Sequence, residues 1–193
     1  MNKLFAAALV AAIVAAAPAA AQSVPAAKVA VVDLDRIGRE CTACRTASAA
    51  LQSQVTTFNS RRQALASQLQ PERQALTTAV TALNGKEPDA ALRARITAFQ
   101  NKEGAAQQEL ERSQQQIQRN QAYVGQQVNA KLAPLLQPAM DRRGANVLLD
   151  SGAALRFAAN VDITNDVLTA LNGALTSVST TAPAQQQNAP QGR

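Results

Sequence analysis

Two cysteines, Cys41 and Cys44, stand in the stretch GRECTACRTA and are the only thiols among 193 residues. Their C-x-x-C spacing is compatible with thiol–disulfide exchange, covalent haem attachment, half of a metal site or a local staple. Haem attachment is excluded because Arg45 occupies the position where C-x-x-C-H needs histidine. The chain contains no histidine, so a metal site would need carboxylates or a second subunit to complete it. No metal or other cofactor is expected. A redox catalyst needs the pair at a helix N-terminus, whose dipole favours the thiolate, within a thioredoxin-like fold. The first condition suits this sequence and the second is not met. No nucleophile elbow or Walker-type loop is present, and Asn84-Gly85-Lys86 reads as a turn between helices. No catalytic residue is assigned and no enzyme activity is expected.

The compartment bears on the thiols. Asn2 and Lys3 precede an apolar run from Leu4 to Ala17, and Ala19-Ala20-Ala21 offers the small residues of a signal-peptidase site. Residues 1–21 read as a cleaved signal, with the cut between Ala21 and Gln22. The residue after the cut is Gln22 rather than cysteine, so a lipid anchor is not expected, and export to an oxidising compartment favours a disulfide. We expect a local Cys41–Cys44 bridge; free or intersubunit thiols and a redox pair are the alternatives.

The elements that must position the pair differ sharply along the chain. KVAVVDL, from Lys28 to Leu34, is a strand-like run rich in β-branched residues. NVLLDS (Asn146 to Ser151) and LRFAA (Leu155 to Ala159) read as two more strands. ITNDVLTALNGAL, from Ile163 to Leu175, reads as a short helix with Thr164 as N-cap. Residues 22–44 and 144–175 thus form a β body with one helix. The tail, residues 176–193, lacks the apolar content to offset ordering and is expected to be disordered.

Between these halves lie residues 45–143, rich in Ala, Gln, Leu and Arg. Alternating steps of four and three from Leu51 meet apolar residues at eight of ten positions through Leu83, and the same walk from Leu92 meets seven of ten through Val124. The seam continues through Val128, Leu132, Leu135 and Ala139. Two seamed helices of roughly 39 and 55 residues, ~58 and ~80 Å long, joined by a turn at 84–89, predict an antiparallel coiled-coil hairpin. Gly85 suits the left-handed conformation after the first helix, Pro88 its successor's start, and Asp89 that helix's first turn. Pro71 is expected to kink the first helix, and Pro134 with Pro138 to bend or end the second. The fold class is α+β: a small β body, oligomeric because one copy has exposed edges and little core, with the arm inserted between its first and later strands.

With these residues in place, the chain resembles the Skp/OmpH family of periplasmic chaperones. VAVVDLDR (Val29 to Arg36), NVLLD (Asn146 to Asp150), VDITNDVLTAL (Val161 to Leu171) and the proline-bearing KLAPLLQPAM (Lys131 to Met140) carry the resemblance. It implies a jellyfish-like homotrimer whose arms hold unfolded outer-membrane proteins in a cavity without ATP. It also implies transient contact with membrane or lipopolysaccharide.

Charge gives this reading a physical handle. The chain carries 19 basic and 13 acidic residues, and the arm between Thr46 and Arg142 has eleven against seven. Arg61, Arg62, Arg73, Lys86, Arg93, Arg95 and Lys102 are candidate client-binding cations, with Arg93, Arg95 and Lys102 the nearest group to a lipopolysaccharide cluster. The bland alternative is a solvated helix face, which usually carries such charges. A structural or adaptor coiled coil of the cell envelope and a C-x-x-C oxidoreductase are the competing functions. Nucleic-acid binding is not expected, because the signal directs the chain out of the cytoplasm.

Overall fold

The computed structural model describes residues 25–184; the signal segment with its Ala21–Gln22 cut and the tail residues 185–193 lie outside the described residues. The order of elements is β1 (Val29–Val32), α1 (Leu34–Glu40), α2 (Thr42–Ala82), α3 (Ala90–Arg142), β2 (Val147–Asp150) and α4 (Thr164–Ala174).

β1 and β2 pair in parallel, Val29 opposite Val147 through Val32 opposite Asp150. Parallel neighbours need a long connection, and here the whole of α1, α2 and α3 supplies it. Asn146 sets the register at the start. Its Oδ1 accepts from Lys28 N at 2.7 Å and its Nδ2 donates to Ala26 O at 3.0 Å. The third expected strand, Leu155 to Ala159, is absent: the segment from Ser151 to Val161 holds two short 3-10 turns and irregular chain. LRFAA has no β-branched residue, and its two large apolar side chains, Leu155 and Phe157, are exposed. The third contact to the sheet comes instead from an isolated parallel bridge of Asp162 to Val31, with Ile163 N donating to Val31 O at 2.9 Å.

The body core is built where these strands meet α1, α4 and the root of α3. Val32, Ile37, Cys41, Ile163, Val167 and Leu171 are almost wholly buried, and Leu132, Ala139 and Met140 join them from α3. α4 presents Thr164, Val167 and Leu171 on one face, the spacing of a single helical stripe. Thr164 is not the N-cap: Ile163 holds that position, Asp162 Oδ1 accepts from Thr164 N at 2.8 Å, and the Thr164 hydroxyl oxygen accepts from Asp33 N at 2.9 Å. That hydroxyl ties the end of β1 to the start of α4.

The sequence reading assigns no element between Leu34 and Cys41, yet the chain makes two helical turns there. Asp33 caps them, its carboxylate accepting from Arg36 N at 2.7 Å, and Ile37 is driven into the core. α2 then starts at Thr42, three residues before the expected boundary.

α2 and α3 lie side by side and run in opposite directions, since partners pair as 54 with 120, 61 with 109 and 73 with 103. Of the expected seam positions only Arg62 is exposed. The turn uses Asn84 and Gly85 at positive φ, 49° and 87°. α3 begins at Ala90 with Asp89 as N-cap, its side chain accepting from Leu92 N at 2.7 Å, two residues later than Pro88 would start it. Pro71, Pro134 and Pro138 all lie inside continuous helices, and α3 ends only after Arg142, with Gly144 at φ 64°.

The segment after α4 departs most from expectation. Residues 176–184 do not hang free of the molecule. Leu175 is buried, Val178 packs against the body core, and Ser179 to Ala182 lie hydrogen-bonded along the root of the arm.

Candidate functional site

The cysteines form a disulfide, with Cα atoms 5.1 Å apart. Cys41 is simultaneously the last backbone link of α1, donating its N–H to Ile37 O, and the N-cap of α2, its sulfur accepting from Cys44 N at 3.3 Å. Both residues belong to the body core, Cys41 with no exposed surface and Cys44 with 7%. A buried disulfide offers neither an accessible sulfur nor a thiolate. The pair therefore fixes the joint between α1 and α2 and the direction in which the arm leaves the body. Asn172 of α4 adds a third tie, its Oδ1 accepting from Thr42 N at 2.9 Å.

Next along the arm is a network of carboxamides. Arg119 donates to Gln116 Oε1. A guanidinium has donors only, so this contact fixes which way the Gln116 amide points. Gln116 Nε2 then donates to Asn120 Oδ1 at 2.8 Å, Asn120 Nδ2 to Gln54 Oε1 at 2.8 Å, and Gln54 Nε2 to Thr180 O at 3.1 Å. Asn120 Oδ1 also accepts from Ala182 N at 2.8 Å. Asn120 is 4% exposed, and no buried side-chain N or O among the described residues lacks a partner. Two turns nearer the body, Gln127 grips Ser179 twice: Nε2 donates to its carbonyl at 2.9 Å and Oε1 accepts from its N–H at 3.1 Å. Beyond Thr181 the channel between the helices continues as a groove of about 460 Å³ whose lining includes Phe58, Ile117 and Arg61.

Farther out, charge replaces amide. Arg61 makes a two-pronged contact to Glu109, at 2.6 and 3.0 Å, Lys102 meets Glu72 at 2.6 Å, and Arg73 meets Glu103. Three of the seven candidate cations are thus engaged in cross-links between α2 and α3. Arg62, Lys86, Arg93 and Arg95 take part in no ion pair among the described residues. Lys86 lies in the turn and Arg93 in the first turn of α3, where it donates to Pro88 O at 2.7 Å. Arg62 lies on the outer face of α2 beside Asn59 and Ala66. The structure therefore splits the candidates into internal ties and a cationic set concentrated at the arm's tip.

The hydrogen bond from Arg61 holds the Glu109 carboxyl below the usual carboxylate range, and the Arg143 guanidinium, 2.7 Å away, does the same for Asp166 against an opposing effect of burial. Among the described residues no group of acids and cysteines is arranged to hold a metal ion, and no helix is long and apolar enough to cross a membrane. The body leaves Leu34, Leu149, Leu155 and Phe157 exposed near its sheet.

The sequence reading missed Gln54, Asn120 and Gln127. Asn120 carried a signal, being a polar residue at a seam position, but the partner that makes sense of it, the chain from Ser179 to Ala182, lies about 60 residues away in a segment with no pattern of its own.

Residues 28–171 match the family described as outer membrane protein (OmpH-like). No curated protein sequence matches the chain. Among solved structures, a Caulobacter crescentus protein described as a candidate outer membrane chaperone (OmpH-like) is similar in fold. It has a TM-score of 0.67 and 20% sequence identity, over 86% of this chain and 96% of that one.

Proposed function

The chain belongs to the OmpH-like outer membrane protein family, and from that premise we propose that it is an ATP-independent periplasmic chaperone. It holds unfolded outer-membrane proteins between coiled-coil arms and prevents their aggregation on the way to the outer membrane. The observation that carries the reading is the union of a long two-helix arm with a body too small to bury its own apolar residues. The helices have 41 and 53 residues, so they extend ~60 and ~80 Å. Leu149 of β2 and, in the chain that follows it, Leu155 and Phe157 are left uncovered; three copies packing these residues together would make a trimeric body. Their arms would then surround a cavity.

Unfolded β-barrel chains expose alternating apolar strands that aggregate. Many weak contacts to a polar wall hold such a chain without imposing a structure on it. Lys86, Arg93 and Arg95 at the tip and Arg62 midway along α2 supply attraction for acidic client segments and for anionic lipid or lipopolysaccharide, whereas Arg61, Arg73 and Lys102 keep the arm closed. The test is light scattering of an outer-membrane barrel protein diluted from urea with and without the purified mature chain, together with the chain's own solution mass. Suppression of scattering by a species of three chains is expected. Unchanged aggregation at excess chain would reject the holdase reading in favour of an adaptor of the envelope.

A further inference from the structure

We propose that the carboxamides of Gln54, Asn120 and Gln127 form a binding track for polypeptide main chain, occupied in cis by Ser179 to Ala182. A client segment takes the same track when that strap is displaced.

The contacts themselves define the ligand. The strap offers Ser179 N–H, Ser179 C=O, Thr180 C=O and Ala182 N–H to the three amides, four main-chain groups and no side chain. Gln127 satisfies both backbone groups of one residue, the arrangement by which one β-strand reads its neighbour. The track thus reads main-chain groups and demands N–H groups at two positions, which excludes proline there; the chain bends at Thr180 and Thr181, a shape the Ser179 hydroxyl holds by donating to Thr181 O at 3.2 Å. Peptides added to a sheet edge gain main-chain hydrogen bonds in the same way; here the edge is built from side chains on two helices. The amides are pre-set: Arg119 fixes Gln116, Gln116 fixes Asn120, and Asn120 fixes Gln54. A site whose donors and acceptors are already aimed loses little entropy on binding.

The strap is a poor permanent occupant. Its residues on the track are Ser, Thr, Thr and Ala, and its apolar anchor, Val178, lies before the track begins. Beyond Thr181 the groove over Phe58 and Ile117 stays open, so a client with larger apolar side chains gains contacts that the strap does not make. Because the strap is tethered next to the site, it competes at a local concentration in the millimolar range. It lowers the affinity for every client by the fraction of time it is docked. The identity of the competing segment rests on the chaperone reading; the track itself does not.

The experiment uses the full mature chain with Ser179→Pro and Ala182→Pro, which removes both strap N–H donors, and the same chain carrying Gln127→Leu as well. Two probes are titrated: the peptide TSVSTTAPA, followed at millimolar concentration by the side-chain amide NMR signals of Gln54, Asn120 and Gln127, and a urea-diluted outer-membrane barrel polypeptide. The released chain is expected to show peptide-induced shifts that the wild type lacks and to bind the barrel polypeptide about tenfold more tightly, with Gln127→Leu cancelling both gains. Absence of peptide shifts in a released chain with undiminished helical ellipticity would overturn the proposal. Client affinity that is unchanged or weaker on release would also overturn it, making the strap a fixed staple. A wild-type chain that holds no client would count against the chaperone reading alone, since the peptide titration still decides the track.

Discussion

The body and the arm bury their apolar residues in different ways. In the body, residues from five elements converge, and Val31, Val32, Ile37, Ile163, Val167 and Leu171 retain at most 2% exposure. In the arm two helices share a single seam whose best buried apolar members away from the root, Leu65, Leu76, Phe99 and Ala106, retain 6–9%, and polar cross-links flank it. A convergent core fails as a unit when one member is removed. A linear seam fails locally, because each residue touches only those across from it. The comparison therefore predicts a rigid body and an arm that opens piecewise.

Leu171→Ala should have the largest effect. The side chain is wholly buried, so the loss is about 2–5 kcal/mol, seen as a fall in the thermal midpoint of the body and as faster hydrogen exchange in β1 and α4 together. Leu76→Ala should cost about 2 kcal/mol, at the low end because solvent lies close on both sides of the seam. Its hydrogen-exchange signature should be confined to the distal halves of α2 and α3, with the body unchanged. If it propagated into β1, the contrast between the regions would collapse. Removing the disulfide by changing Cys41 and Cys44 to Ser should cost about 1–2 kcal/mol, because the closed loop is so short. The change should broaden the distribution of arm directions measured by spin-label distances from tip to body.

The smallest effect should come from acid. Glu109 and Asp166 have folded pKa values lowered by Arg61 and Arg143, so their contribution is complete above the unfolded carboxylate pKa and is lost as pH falls through the folded value. Stability from these pairs should be flat between pH 7 and 5 and decline only below about pH 4. Hydrogen exchange around Glu109 should report the arm and that around Asp166 the body, separately.

Periodicity made the arm legible: fourteen seam positions after the turn and before the body, Leu92 through Ala139, are all buried or half-buried, because two facing helices leave no other use for such a stripe. The body was harder. β1 and β2 were visible as β-branched or aliphatic runs, but LRFAA has no β-branched residue and joins neither edge of the sheet. α1 was missed because Ile37 is its one buried residue, too few to set a period. Composition misled at the C-terminus. The segment after Leu175 is polar and low in apolar residues, yet Val178 and main-chain hydrogen bonds to side chains on the arm suffice to order it through residue 184. Composition scores side chains, and this strap is held mainly by its backbone. The split among the arm cations was equally hidden, since whether Arg61 or Arg62 faces Glu109 depends on the rotation of α2 about its axis.

Pairing Val29 with Val147 makes the sheet a highly non-local contact, with the whole arm inside the loop it closes. A chain made from its N-terminus presents β1 long before β2 exists, while α2 and α3 meet across a turn of a few residues. Such local contacts form fast and distant ones slowly. The arm should zip first and bring Lys28 and Asn146 into reach, so the hairpin acts as the ruler that shortens the search for the body. An inserted element that delays its host's closure also shortens the path to it. Refolding followed separately in the arm and the body should then show helix forming ahead of the sheet.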